Sequence, residues 1–138
     1  MLKKIYRFHT TLDQDSLHQI ENKSFLIVHS LPPGDESIRV FGEKLCQAIN
    51  LNKQEFGLLA LKDSDFFDFG VLKKGLSEGH VLWMSKTPEL YFPNFRIQKY
   101  IWFGNGTHRL LITDNAGELL QNKQMKAQLW TALKSEFL

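Results

Sequence analysis

The sequence predicts a single α/β domain with a mixed sheet of four or five strands, a C-terminal β-hairpin and a closing helix. Phe25–Val28 is a continuous apolar run, too short for a helix, and is typical of a strand buried on both faces. A helical pattern then runs to Ile49, and a second buried strand is expected at Phe56–Leu61. A strand, a crossover helix and a second strand form a right-handed βαβ unit, so these two strands should pair in parallel.

Length and composition are those of an ordinary soluble domain. The 138 residues are enough for one domain with a full core, and 43% hydrophobic with 23% charged residues is a globular balance. The net charge is +2 and the basic residues do not cluster, so strong direct binding of nucleic acid is not expected. The single cysteine, Cys46, excludes an internal disulfide and is expected to be a buried thiol in the first helix.

No apolar run approaches the roughly 18 residues that a membrane-spanning helix needs. No signal peptide pattern follows Met1, and the cytoplasm is therefore the expected location. Residues 1–24 are interpreted as a separate N-terminal segment, either two short helices or an arm that orders on a partner. The α/β domain then spans residues 25–138. The first helix presents an apolar face at three- and four-residue steps, made by Ile38, Phe41, Leu45, Ala48 and Ile49.

The second half of the chain supplies the remaining strands. Asp63–Asp65 is a helix N-cap signal for a short helix, and a third strand is predicted at His80–Met84. A longer strand is predicted at Phe95–Phe103. The Asn-Gly pair after Gly104 predicts a tight hairpin, with the returning strand at His108–Thr113.

The chain ends in a predicted amphipathic helix that begins at Asn122. Its apolar positions are Met125, Leu129 and Leu133, with Trp130 and Phe137 beside them. Asp114 is expected to cap the turn that follows the last strand.

No catalytic constellation emerges from the residue pattern. Ligands of open α/β sheets usually bind beyond the carboxyl ends of the strands, so the alternative function is an enzyme or small-molecule binder that uses His29, Ser30 and Asp114. The loop after Ser30 has two prolines and two acids, which disfavours a phosphate site. His29 and His80 are considered as neighbours at one sheet edge.

Metal and cofactor sites are not predicted. The histidines lack the spacing of zinc ligands, and Asp63, Asp65 and Asp68 match no calcium loop. Tyr100 and Trp102 alternate with Arg96 and Gln98, a pattern that suits base stacking on single strands. The favoured interpretation is that both aromatic side chains are core beneath the last helix.

Two blocks of the sequence resemble the psi-subunit family of bacterial DNA polymerase III holoenzyme. The first runs from the strand Phe25–Val28 through Leu31-Pro32 and the helix ending Leu45–Ile49 to the turn Leu51–Phe56. The second contains Leu119, the segment Lys126–Trp130 and the acidic-aromatic pair Glu136-Phe137. Together the blocks cover residues 25–61 and 108–138, about half of the chain.

The resemblance implies a small non-enzymatic adaptor subunit that needs no cofactor. Psi bridges the clamp loader to the chi subunit, so a clamp-loader or chi-like protein is the expected partner. Aromatic and apolar side chains of the N-terminal segment and of the region before and within the hairpin are the partner-binding candidates: Ile5, Tyr6, Phe8, Tyr91, Phe92, Phe95, Tyr100 and Trp102.

Overall fold

The predicted apolar run at the start of the domain forms the centre of the sheet. A computed structural model of the chain describes residues 23–32, 35–61, 79–85, 96–104 and 108–138. In these residues the strands are β1 (Phe25–His29), β2 (Phe56–Ala60), β3 (Gly79–Met84), β4 (Trp102–Phe103) and β5 (His108–Ile112). The helices are α1 (Glu36–Ala48), α2 (Ala116–Leu119) and α3 (Lys123–Phe137), and a short 3-10 turn at Lys53–Glu55 precedes β2.

The sheet has the order β2-β1-β3-β5-β4. β1 pairs in parallel with β2 on one side, where Phe25 lies opposite Phe56, and with β3 on the other, where Phe25 lies opposite His80. β3 pairs in parallel with β5, and β4 pairs antiparallel with β5. The predicted mixed α/β sheet, its βαβ unit and its C-terminal hairpin are therefore confirmed.

Side chains of β1 alternate between two buried faces, as the period of a strand requires. Leu26 and Val28 join a cluster with Trp83 of the neighbouring strand. Phe25 and Ile27 point to the opposite face, where α1, α2 and α3 contribute Ile38, Leu119 and Leu133 among others. All five residues of β1 are buried, which explains why the run is continuously apolar instead of alternating.

Both long helices begin at side-chain caps. The Asp35 carboxylate accepts a hydrogen bond from the Ser37 backbone N–H at 2.8 Å, and the Asn122 side chain accepts one from the Met125 N–H at 3.0 Å. α1 stops where Asn50 adopts a left-handed conformation with φ of 62°. Gly42 faces the ring of Phe56, and a Cβ there would lie 2.2 Å from the nearest ring atom, so this glycine permits the close approach of α1 to β2.

The long strand predicted at Phe95–Phe103 is wrong in its described part. Arg96 to Ile101 is not strand, and only Trp102–Phe103 pairs with β5. The reason is Tyr100, whose φ of 64° breaks the extended backbone. Alternation of residue types predicts faces, but it does not reveal a left-handed residue.

The predicted cap at Asp114 is also wrong. Asn115 caps α2 by accepting a hydrogen bond from the Glu118 N–H, whereas Asp114 binds other side chains. Two further predictions, the helix starting at Asp63–Asp65 and the hairpin tip at 105–107, lie outside the described residues. The same holds for residues 1–22 of the N-terminal segment.

Candidate functional site

An apolar groove lies between α1 and α3, on the face of the sheet that both helices cover. Its volume is about 740 Å³. The apolar part of its lining is Val40, Phe41, Leu45, Ala48, Leu120 and Trp130. We call this feature the interhelical groove. Its size is that of a typical binding cleft in a protein surface.

The groove exists because α1 carries more apolar side chains than the core uses. Ile38, Leu45 and Cys46 are buried, Phe41 is half-buried against the core cluster, and Ala48 is exposed. Val40 is 46% exposed, which is unusual for a large apolar side chain in the middle of a helix. The apolar surface of α1 that the core leaves uncovered thus lines the groove.

Charged groups stand on both walls of the groove. Lys44 belongs to the α1 wall and Lys126 to the α3 wall. Glu36 also lines the groove, but its carboxylate forms an ion pair with Arg39 of the next turn. Lys134 is engaged at Trp130, where its ammonium lies 5.9 Å from the ring centroid. The two groove lysines are therefore the charges available to an incoming group.

The carboxyl edge of the sheet, which holds His29, Ser30 and Asp114, does not assemble a catalytic pair. β3 lies between the strands that end at His29 and at Ile112, so two strand spacings of about 5 Å each separate their ends. His29 is buried and its Nδ1 accepts a hydrogen bond from the Leu31 N–H at 3.2 Å. Burial lowers the pKa of His29, and the Asp35 carboxylate opposes this in part. Within the described residues no hydrogen bond joins His29 to Asp114.

Asp114 instead anchors the chain that leads into β4. Its carboxylate accepts hydrogen bonds from the Lys99 ammonium and from the Tyr100 hydroxyl, each at 2.7 Å. Burial alone would raise the pKa of Asp114, but these two donors lower it overall. The Tyr100 hydroxyl is thereby fixed, and burial together with the neighbouring carboxylate raises its pKa. This contact supports the left-handed turn at Tyr100.

Replacing Tyr100 with phenylalanine is expected to destabilise the fold by about 1–2 kcal/mol, because the Asp114 carboxylate loses a charge-assisted donor. Lys99→Met is the matched control, since the Lys99 side chain is 50% exposed and such a pair is worth at most about 1 kcal/mol. Urea unfolding of both variants measures the difference. Equal losses would show that the hydroxyl bond contributes nothing beyond a surface ion pair.

His80 and His29 lie at opposite ends of the strands, so their predicted proximity is wrong. His80 pairs with Phe25 at the amino end of β1, whereas His29 ends that strand about 13 Å away. The prediction overlooked the direction of the strands, because His80 lies near the start of β3 whereas His29 ends β1. Parallel strands place such residues at opposite edges.

His80 belongs to a cluster that fixes the end of α3 to the sheet. Its Nε2 lies 2.9 Å from Oε2 of Glu136, and the Arg109 guanidinium donates to both oxygens of the same carboxylate at 2.9 and 2.8 Å. The Phe137 ring packs against the His80 ring at a centroid distance of 4.4 Å, with the two planes inclined by 49°. We call these four residues the C-terminal anchor. The sequence predicts Phe137 beside the apolar face of the last helix and His80 at the start of a strand, but it shows no link among these four residues.

The aromatic partner-binding candidates divide into two groups. Ile5, Tyr6, Phe8, Tyr91, Phe92 and Phe95 lie outside the described residues. Tyr100 and Trp102 are half-buried against the core cluster beneath the helices, and the Trp102 indole N–H donates to the Ala132 carbonyl of α3 at 2.9 Å. The favoured interpretation of this pair as core is therefore confirmed. A partner contact of Tyr100 and Trp102 stays a prediction.

Cys46 is a buried thiol, as predicted. Its side chain is 1% exposed, and burial raises its pKa to about 11, so it is not a reactive nucleophile at neutral pH. In the described part of the chain, no helix is both long enough and apolar enough to cross a membrane. The same residues contain no group of three or more histidine, cysteine or acidic side chains placed to hold a metal ion.

Comparison with protein-family models, with curated proteins and with solved structures finds no match for this chain. The fold and the geometry of the interhelical groove are therefore the observations from which a function is inferred.

Proposed function

We propose that this chain is a non-enzymatic protein–protein adaptor of the psi kind, which joins a clamp-loader subunit to a chi-like protein in the cytoplasm. The observation that carries the proposal is the interhelical groove, with its apolar lining and the 46% exposed Val40. Contiguous apolar surface on a folded domain marks binding sites more often than isolated apolar residues do.

The positions of the psi-like blocks support the same proposal. Residues 25–61 contain α1, and residues 108–138 contain α2 and α3, so the two blocks supply both walls of the groove. In the described part of the chain, the segments between the blocks contribute no lining residue. The resemblance thus falls on the parts of the fold that form the proposed binding surface.

Affinity capture from the source cells tests the adaptor role. We expect the tagged full chain to recover a clamp-loader or chi-like subunit, and Val40→Asp to reduce the recovery at least tenfold, because a carboxylate in the apolar groove must be desolvated on binding. Ile101→Asp is the matched control. Ile101 is 51% exposed and does not line the groove, so this change should leave the recovery unaltered.

Two outcomes of this experiment would contradict the proposal. Recovery of no replication protein would remove the psi-like role. Equal recovery by the parent chain and Val40→Asp would show that the partner binds elsewhere on the chain. Urea unfolding of each variant confirms that the substitution has not unfolded the domain.

A further inference from the structure

We infer that the interhelical groove receives an acidic amphipathic helix of about three turns, supplied by a partner protein. This inference rests on the proposed adaptor function and specifies the chemistry of the segment that binds. Three features of the groove carry it: its length along α1, the second depression on the other side of Val40, and the sign of the charges on its walls.

The length of the groove matches a helix. Residues from Glu36 to Ala48 of α1 line it, and with a rise of about 1.5 Å per residue this side is about 18 Å long. α1 and α3 both run from the carboxyl edge of the sheet back toward its amino edge, so the groove lies between two helices of the same direction. A third helix can therefore bury an apolar stripe between them.

The concave surface does not end at the ridge of α1. A second depression of about 290 Å³ shares Val40 and Lys44 with the groove and is lined in addition by Leu51 and by the polar side chains of Glu43 and Gln47. Val40 thus stands between two concavities instead of at the edge of one. A small molecule bound in one cleft would not contact the second depression. A helix with apolar residues at i, i+3, i+4 and i+7 can cover both sides of the ridge at Val40.

The charges select an acidic segment. Lys44 and Lys126 stand on opposite walls, and within the described residues neither has a carboxylate partner. Glu36, the acid of the groove lining, forms an ion pair with Arg39, and Glu43 lines the second depression but not the groove. A helix that places carboxylates on both flanks of its apolar stripe meets one lysine on each wall. A basic helix would instead bring like charges together.

A peptide selection tests the inference directly. The probe is a display library of 16-residue helix-forming peptides with leucine at i, i+3, i+7 and i+10 and with randomised flanking positions. The bait is the full chain, and binders that also bind Val40→Asp are discarded. We expect the retained peptides to carry an excess of Asp and Glu at the flanking positions.

Charge reversal on the bait supplies the matched control. With the double variant Lys44→Glu and Lys126→Glu, the flanking excess should change to Lys and Arg, and the acidic peptides should bind at least tenfold more weakly. Lys123→Glu, an exposed lysine of α3 that does not line the groove, should retain the acidic preference. Both lysines of the double variant are exposed, so the test remains available if Val40→Asp fails to fold.

Several results would overturn the inference. If the peptides selected on the parent and on the charge-reversed bait carry the same flanking charge, the electrostatic argument fails. The inference that a helix binds would fail if every selected peptide also bound Val40→Asp. It would fail likewise if the parent chain bound decanoate, or dimerised in sedimentation, and Val40→Asp did not. If acidic peptides bind the groove but capture recovers no replication protein, the groove assignment stands and the psi-like role fails.

Discussion

Phe25→Ala is expected to lower the free energy of unfolding by about 3–5 kcal/mol. Phe25 is fully buried in the central strand, and its ring lies 5.8 Å from that of Phe137, measured between centroids. Alanine leaves a cavity where β1 meets the end of α3, and neither element can close it without losing its own contacts. Since domains of this size are stable by about 5–15 kcal/mol, the loss is a large share of the total.

Urea unfolding, followed by tryptophan fluorescence, measures this effect. Val40→Ala is the control, because Val40 is 46% exposed and truncation of an exposed side chain changes stability by about 0.5 kcal/mol or less. A loss of under about 1 kcal/mol for Phe25→Ala would contradict the interior position of β1 and, with it, the architecture on which the psi-like interpretation depends.

Glu136→Gln is expected to destabilise the protein by about 2–3 kcal/mol at neutral pH. The carboxylate is 16% exposed and accepts two hydrogen bonds from Arg109, with His80 at 2.9 Å. The neutral amide cannot accept both guanidinium bonds, so the half-buried Arg109 charge loses most of its compensation. The consequence is loosening of the C-terminal anchor at the end of α3.

The pH dependence of this effect separates charge from packing. The bonds from Arg109 lower the pKa of Glu136 below its ordinary value of 4.5. A lowered carboxyl pKa stabilises the fold above the unfolded-state pKa, and this contribution is lost as the pH falls through the folded-state pKa. The stability gap between parent and Glu136→Gln should therefore be full at pH 7 and narrow below about pH 4.5.

His80 adds a smaller change at intermediate pH. Burial lowers the pKa of His80 below its ordinary value of 6.5, and Glu136 partly restores it. Without the carboxylate the pKa of His80 falls further, so the variant loses more stability on acidification through this range. We therefore expect the stability difference between the parent and Glu136→Gln to increase slightly as the pH falls below 6.5, and then to decrease at lower pH.

Glu36→Gln is the matched control for Glu136→Gln. The substitution is the same and the partner is again an arginine, but the side chains of Glu36 and Arg39 are 67% and 56% exposed. Solvent screens such a pair, which contributes at most about 1 kcal/mol. Equal losses for the two variants, or a gap that does not change between pH 7 and pH 3.5, would contradict a role for the Glu136 charge.

The elements set by local sequence pattern were predictable. The continuous apolar run at Phe25–Val28 and the three- and four-residue steps after it specify β1 and α1, because burial and helical period act on neighbouring residues. The Asn122 start of α3 was predictable for the same reason. Pairing in parallel then follows from the crossover helix.

Features that depend on residues far apart in the chain were not predictable. The C-terminal anchor joins the starts of β3 and β5 to the end of α3, and no local pattern connects His80 to Glu136. Tyr100 is left-handed although tyrosine has no preference for that conformation, and its hydroxyl bonds to Asp114, 14 residues further along the chain.

The interhelical groove had one sequence signal, which is easily misinterpreted. Spacing predicts a core face of α1 that includes Phe41 and Ala48. Phe41 does pack against the core cluster, whereas Ala48 is exposed and Val40 adds an apolar side chain outside this face. An apolar arc wider than one packed face is a sign of a second contact surface. Only the positions of α3 and α2 show which part of the arc the core leaves open.

The contact between Phe25 and Phe137 has a consequence for how the chain acquires its structure. Phe25 of β1 must contact Phe137 of α3, which is more than 100 residues away in the chain. Both edges of β1 are paired only after β3 has formed. Closing so much chain is entropically costly, and topologies of this kind fold slowly. During synthesis one edge of β1 stays unpaired until β3 has left the ribosome, and the face of β1 that α3 covers stays exposed until that helix follows, so nascent chains expose surface of the kind that chaperones bind.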